Sequence, residues 1–349
     1  MPWYAYLLAP AAFLFQGITA ARNFLFDRGL LKSQKAPMPT LVVGNLSVGG
    51  TGKTPWVEFL VRQLRDEVKL ATLSRGYGRK TTGFGQVLPT STAAEVGDEP
   101  LQLFTHFKGE IPVFVGEDRV GAAQKIHELL PNLQLLVLDD AFQHRKLHPD
   151  FRIVLTPYDS LFSKDYLLPM GRLRESRAGA KRADVVVVTK CLAELSLDEK
   201  NKLGQSLSPY LNSDALLLYS STRYGEPYQV AGPVQNDFTA VIALAGLADN
   251  GPFFTFCKQQ FTVVDTFSFS DHYAYKPEDA GQILEVLGQE KGQHTVLLTT
   301  EKDSVKLKSL AATEMWSKIP IFALPIQVAL DPSQQELLLQ RLRKNLLHP

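Results

Sequence analysis

Residues 40–54 read Thr-Leu-Val-Val-Gly-Asn-Leu-Ser-Val-Gly-Gly-Thr-Gly-Lys-Thr, and the fold follows from how this stretch divides. Thr40 to Asn45 is a short apolar run of buried-strand character, while Trp56, Phe59, Leu60 and Leu64 recur at helical spacing from Thr54 to about Arg65. Between strand and helix lie Ser47, Val48, Gly49, Gly50, Thr51, Gly52, Lys53 and Thr54, which match the phosphate-loop pattern G-x-x-x-x-G-K-[ST] except for serine at the first position. The glycines let backbone N–H groups converge on a phosphate, and the following helix adds the positive end of its dipole. Lys53 is placed to reach the β- and γ-phosphates, and the Thr54 hydroxyl to ligate Mg2+.

A phosphate loop needs an acid at the end of a neighbouring strand, and Leu135-Leu136-Val137-Leu138-Asp139-Asp140 supplies one. Aspartates that close an apolar run are costly to bury unless a cation or donors await them. Ala141-Phe142-Gln143-His144-Arg145 follows, its polar members emerging at the edge where open α/β sheets bind ligands. Further apolar runs at LATLS, VFV, RIVLT and DVVVVTK alternate mostly with helical patterns, as expected of a doubly wound, mostly parallel sheet. A polar stretch up to Ser213 marks the expected change of domain, after which LLLYS, AVIALAG, FTVVDTF, TVLLTT and IPIFALP repeat the alternation. The expected architecture is α/β: a helix in residues 1–31, a P-loop kinase-type domain over 32–212 and a smaller α/β lobe over 213–349.

From Trp3 to Ala21 nineteen residues carry no charge, and Arg22, Arg28, Lys32 and Lys35 follow. This is close to a membrane span, and the trailing cations set the remainder on the cytoplasmic side. Pro10 and Gly17 weaken a straight spanning helix, while Trp3, Tyr4 and Tyr6 suit the water–lipid interface, so an embedded or interfacial helix competes with a span. A net charge of +1 excludes a chain-wide basic field for nucleic acid, and no obligate protein partner is signalled. With two cysteines, Cys191 and Cys257, a disulfide framework and a structural zinc site both lack ligands.

SVGGTGKTP, SRGYGR (74–79), GDEP (97–100), LDDAFQHRKL, PMGRLRE (169–175), FSDHY (269–273) and TEKDSVKL (300–307) together resemble the tetraacyldisaccharide 4'-kinase family, the lipid A 4'-kinases of Gram-negative envelopes. Two departures are Ala141-Phe142 where the family commonly has Gly-Leu, and GLADNGPFF in place of its glycine-rich segment; neither removes a titratable group. The resemblance implies ATP-dependent phosphorylation of the 4'-hydroxyl of a tetraacylated glucosamine disaccharide 1-phosphate, at the cytoplasmic face of the inner membrane. It implies that Asp98 and His272 form a pair in which histidine orients the carboxylate that takes the hydroxyl proton. By residue type alone, Asp98 reads as a helix cap and His272 as a polar loop residue. It also implies that Glu175 lies near the nucleotide and joins Thr54 and Asp139 around Mg2+, where the residues alone allow an ordinary surface ion pair. Arg75, Tyr77, Arg119, Asp140, Gln143 and Arg172 are candidates for contact with the substrate, the arginines because a planar fork suits phosphate. In TEKD, Thr300 is expected to cap a helix.

The competing reading is a P-loop ATPase acting as a membrane-associated switch or regulator. A guanine reader needs [NT]-K-x-D, and Thr189-Lys190-Cys191-Leu192 has leucine at the aspartate position, so ATP is preferred to GTP.

Overall fold

All six residues of β1 (Thr40–Asn45) are buried, which requires strands on both edges and layers on both faces. The computed structural model describes residues 7–289 and 294–347. Ahead of β1 lies α1 (Ala9–Asp27); after it come α2 (Lys53–Leu64), β2 (Leu70–Ser74), β3 (Gly85–Gln86), α3 (Ala93–Val96), α4 (Asp98–His106), β4 (Val113–Val115), α5 (Arg119–Leu129), β5 (Leu135–Asp139) and β6 (Phe151–Pro157). A long loop leads to β7 (Val185–Cys191), α6 (Leu197–Leu207) and β8 (Leu216–Tyr224). The remainder holds β9 (Tyr228–Ala231), β10 (Ala240–Ala245), α7 (Gly251–Gln260), β11 (Thr262–Ser268), α8 (Pro277–Gln289), β12 (Thr295–Thr300), α9 (Glu301–Leu310), β13 (Ile321–Leu324), β14 (Ile326–Leu330) and α10 (Pro332–Leu342).

Nine strands form the larger sheet in the order β14-β8-β7-β6-β1-β5-β2-β4-β3, parallel except for β14 and β3 at its two edges. One face buries Trp56 and Leu60 of α2, Leu103 of α4 and Leu338 of α10; the other buries Ala122 and Ile126 of α5 and Leu203 and Leu207 of α6. Helices therefore cover both faces, and β1 lies between β5 and β6 at the centre, where the order of strands reverses. The second sheet runs β11-β10-β12-β13-β9, with only β9 antiparallel. It is covered by α7 on one face, through Phe253 and Cys257, and by α8 and α9 on the other, through Ile283 and Leu307.

The expected boundary at residue 213 does not coincide with the change of sheet. β8 pairs in parallel with β7, and β14 returns antiparallel to β8, followed by α10, whose Leu338, Leu339 and Leu342 lie in the first-lobe core. The second lobe is thus the run from β9 through β13, inserted between two strands of the larger sheet. An apolar run carries no local sign of the sheet it joins, because pairing is decided between segments far apart in sequence.

Two features tie the lobes together. Helix α9 buries Val305 in the core of the first lobe and Leu307 in that of the second. At the same junction α2, α4 and α9 contribute Glu58, His106 and Glu301: His106 Nδ1 lies 3.5 Å from Glu58 Oε2 and 3.3 Å from Glu301 Oε1. The spacing of the histidines in the sequence does not suggest this grouping.

In α1, Ala12, Phe15, Thr19, Asn23 and Phe26 recur at helical spacing as the sheltered face, while Phe13, Leu14, Ile18 and Phe24 are exposed. Pro10 sits in the first turn, where its missing N–H costs nothing. Among the described residues, no helix is long and apolar enough to cross a membrane. The expectation for Trp3, Tyr4 and Tyr6 lies outside the described residues.

Candidate active site

The loop after β1 is held from beneath. Gly44 must be glycine because a Cβ there would stand 2.6 Å from Cβ of Phe142, so the segment after β5 rests directly on β1. Gly52 takes φ 86° to turn the chain into α2, which begins at Lys53. Val48 N–H donates to Arg172 O at 2.8 Å, Arg174 N–H to Leu46 O at 2.8 Å, and Ser47 bridges Leu173, so the GRLR segment braces the loop through its backbone. Asn45 Nδ2 donates to Thr51 Oγ1 at 2.9 Å, and Thr189 Oγ1 donates to Thr51 O at 2.9 Å.

The register of β1 with β5 sets Val43 opposite Asp139, which brings the acid to the base of the loop. Asp139 is buried, and among the described residues its Oδ1 has no hydrogen-bond partner. Burial, reinforced by the charge of Glu99 and only partly offset by Lys53, pushes its carboxyl up to about 7. Its neighbour Asp140 adopts φ 49° and accepts two bonds from Arg174 Nη1, at 2.8 and 2.9 Å, with Lys53 Nζ 3.7 Å away. Burial opposes its ionisation, yet Lys53 and Arg174 outweigh burial and hold Asp140 below the usual carboxylate range. Two adjacent aspartates thus differ in character: one is compensated by protein cations, the other is left with an unpartnered oxygen.

Asp98 is the first residue of α4 and follows Gly97, whose φ of 95° places it outside the helix. The capping expected of Asp98 is absent: no side-chain cap bond forms at this helix start. Instead its Oδ2 lies 3.0 Å from Nδ1 of His272 in the second lobe and 3.0 Å from Nζ of Lys306 on α9. Burial raises the Asp98 carboxyl, but the His272 hydrogen bond and Lys306 outweigh it, so the group is held below its ordinary value. His272 itself takes φ 58°, a left-handed conformation unusual for a side chain of its size, and its ring meets Tyr77 at a centroid distance of 5.1 Å. Glu99, beside Asp98, is the residue whose charge reaches Asp139, so the pair lies at the same edge as the phosphate loop.

The remaining candidates separate into those the fold presents and those it uses elsewhere. Glu175 is buried and its carboxylate is engaged: Arg182 Nη2 donates to both oxygens at 2.9 Å, Asn23 Nδ2 to Oε2 at 3.0 Å and Gln143 Nε2 to Oε1 at 3.1 Å. It anchors α1 to the loop region, together with Arg22, which donates to Gln143 O, and Asp27, which accepts from Arg145. Gln143 Nε2 also donates to Asn45 O at 2.7 Å. Arg119 is buried, bonded to the carbonyls of Gly116 and Glu117, and burial pushes it down to about 10 despite Asp139 and Asp140. Arg172 is paired with Asp165 at 3.1 Å; Arg75 is exposed, and so is Tyr77, whose ring lies against His272. Three lysines at the site were not legible as such. Lys190 has φ 55° and brings Nζ within 3.9 Å of where a Cβ on Gly50 would lie, and Lys302 and Lys306 both face the Asp98–His272 pair. The only signal for the last two is their spacing of one helical turn.

The chain was compared with known proteins. A family model described as tetraacyldisaccharide-1-P 4'-kinase matches residues 4–343. Tetraacyldisaccharide 4'-kinase from Cytophaga hutchinsonii is 40% identical over 339 residues, covering 95% of this chain and 93% of the relative. The corresponding protein from Flavobacterium psychrophilum is 40% identical over 324 residues, covering 92% and 91%. Among solved structures, LpxK from Aquifex aeolicus in complex with ATP superposes with a TM-score of 0.74 at 32% identity, covering 97% of this chain and 98% of that one. Sequence matches of this length, the superposition of both lobes and a phosphate loop facing a carboxylate–histidine pair agree: the chain belongs to the tetraacyldisaccharide 4'-kinase family.

Proposed function

We propose that this chain transfers the γ-phosphate of ATP to the 4'-hydroxyl of a tetraacylated glucosamine disaccharide 1-phosphate, giving the 4'-phosphorylated lipid A precursor. The observation that carries the reading is the 3.0 Å contact between Asp98 of one lobe and His272 of the other, at the sheet edge that holds the phosphate loop. A nucleotide-driven switch has no need of a proton acceptor assembled from two lobes, whereas a sugar hydroxyl needs one.

Each group has a task set by its surroundings. The loop amides and Lys53 bind the phosphates, and the Asp140 contact fixes the lysine ammonium at the mouth of the loop. Thr54 and Asp139 are the residues that would hold Mg2+, and Asp139 fits: its buried Oδ1 lacks a partner, and without a cation its carboxyl stays near neutral pH. When bound, the ion neutralises charge on the phosphate oxygens. Glu175 is assigned instead to positioning α1, since Arg182, Asn23 and Gln143 already occupy its oxygens. Asp98, kept ionised, accepts the hydroxyl proton as the sugar oxygen attacks phosphorus, and His272 orients it.

The chain works at the cytoplasmic face of the inner membrane, with α1 lying in the interface. Phe13, Leu14 and Ile18 on its exposed face are 72%, 68% and 60% accessible, and Arg22 and Arg28 follow at its C-terminal end. The test is transfer of labelled γ-phosphate from ATP to purified lipid disaccharide in detergent micelles. Lipid-dependent label transfer is expected; ATP hydrolysis with no labelled lipid would favour the switch.

A further inference from the structure

We propose that Lys306 is a positioning residue for the proton acceptor: its ammonium shares Oδ2 of Asp98 with His272 and leaves Oδ1 to the substrate hydroxyl. The proposal rests on the reading of Asp98 as that acceptor. His272 Nδ1 and Lys306 Nζ each stand 3.0 Å from the same oxygen, Oδ2. Among the described residues, no hydrogen bond or ion pair engages Oδ1. A carboxylate tethered at one oxygen by two donors has its other oxygen fixed in direction, as a base in a phosphoryl transfer requires.

The lysine is itself well anchored. Its side chain is 11% exposed, Nζ donates to Tyr273 O at 3.2 Å, and Asp303 Oδ1 lies 4.0 Å away. Its backbone neighbours Val305 and Leu307 are buried in the two lobes' cores, so α9 cannot shift without disturbing both. One turn earlier, Lys302 Nζ bonds Asp271 Oδ1 at 2.7 Å and lies 3.4 Å from His272 Nε2. An ammonium only donates, so Nε2 presents its lone pair and the ring proton sits on Nδ1, facing Asp98. The carboxylate thus meets a ring N–H from His272 and the full positive charge of Lys306 on the same oxygen. The groups facing Asp98 are therefore His272 from the second-lobe loop, Lys306 from α9, and Lys302 and Asp271 behind the histidine, with Glu99 on its own helix 3.9 Å from Lys302. In the step itself, the hydroxyl proton passes to Asp98 Oδ1 while the sugar oxygen bonds to the γ-phosphorus. The bond from that phosphorus to the bridging oxygen breaks, and ADP leaves with its electron pair.

The experiment measures kcat against pH for full-length Lys306→Met and Lys306→Arg in the labelled-phosphate assay, with ATP binding measured alongside. The lysine lowers the pKa of Asp98, and the ionised form is the active one, so removing the charge moves the acid limb of the profile upward. An opposite charge at this range moves a carboxyl by about 1–3 pH units, so Lys306→Met is expected to move the limb up by about that much and to lose up to about tenfold in kcat one pH unit below the shifted limb, with turnover on the alkaline side close to the parent's. KM for ATP stays as in the parent, and Lys306→Arg brings the limb back toward it. A Met variant that binds ATP and shows the parent's acid limb overturns the proposal. Should Lys306→Met fail to fold, Lys306→Gln reads the same limb with a neutral amide donor in place of the ammonium. Asp98→Asn separates the two levels. If it keeps full kcat, the reading of the acceptor itself is wrong; if it is inactive while the acid limb ignores Lys306, only the role of the lysine is lost.

Discussion

The donor and acceptor sides proposed for the active site are built in opposite ways. The phosphate loop is one contiguous stretch from Ser47 to Thr54, in one lobe, braced by backbone hydrogen bonds from the GRLR segment. The acceptor side gathers Asp98 from α4, His272 from a second-lobe loop, and Lys302 and Lys306 from α9. Phosphate binding relies on backbone amides, whose directions a short local sequence can set. A proton acceptor relies on the pKa and direction of one side chain, and both are set by neighbours that only tertiary packing supplies. The donor side should therefore fail through single residues of its loop, and the acceptor side as a coupled unit.

The largest effect expected is on the donor side. Lys53→Ala should reduce kcat/KM by about a thousandfold, the scale of losing a cation that faces the transferring phosphate, while circular dichroism and thermal unfolding stay near the parent's. Near-normal turnover by folded Lys53→Ala would break the assignment of the loop. On the acceptor side, Asp98→Ala and His272→Ala should each lower kcat by about a hundredfold with ATP affinity little changed. Their double variant should be far less impaired than the product of the two, because the groups act together. Multiplicative losses in steady-state kinetics would dissolve the unit and leave the two sides alike in construction.

A third, smaller effect sharpens the contrast by acting on lipid delivery alone. Replacing Phe13, Leu14 and Ile18 by serine removes exposed apolar side chains without touching the anchors Asn23 and Asp27. Vesicle co-sedimentation should fall about tenfold and KM for lipid rise, with KM for ATP unchanged. Unaltered sedimentation would remove α1 from the membrane. The smallest effect concerns the junction of the lobes. Burial pushes Glu58 up to about 7 from 4.5, against the pull of His106, and the Glu301 hydrogen bond raises His106. In both cases the folded state binds protons more tightly, so stability falls as pH rises from about 4.5 through 7. Glu58→Gln should flatten that decline, gaining about 2–4 °C in Tm at pH 8 relative to the parent. Parallel Tm-against-pH curves would show that the junction does not sense pH.

Much of this was legible because it is local. Thr300 caps α9 through its hydroxyl as its position after the apolar strand TVLLT suggested, and the strand–loop–helix of residues 40–64 lies where periodicity placed it. The strand β14 was not legible: Ile326 to Leu330 is five residues with mixed burial, and its partner β8 is a hundred residues earlier in the chain. Glu175 stayed open in the sequence for a related reason, since a carboxylate between arginines reads the same whether it faces a metal or Arg182.

By itself the sequence determined the phosphate loop, the apolar strand that ends at Asp139, the alternation that makes the sheet parallel and the charge-free stretch from Trp3 to Ala21. Each depends on residues a few positions apart, whose backbone geometry and periodicity are settled within one element. Only the tertiary structure decided that β8 and β14 close the first sheet, that Asp139 keeps an unpartnered oxygen while Asp140 does not, and that Lys306 meets Asp98 across two hundred residues of chain. Those outcomes turn on burial and on the charges that burial brings together, and neither exists until the lobes have packed.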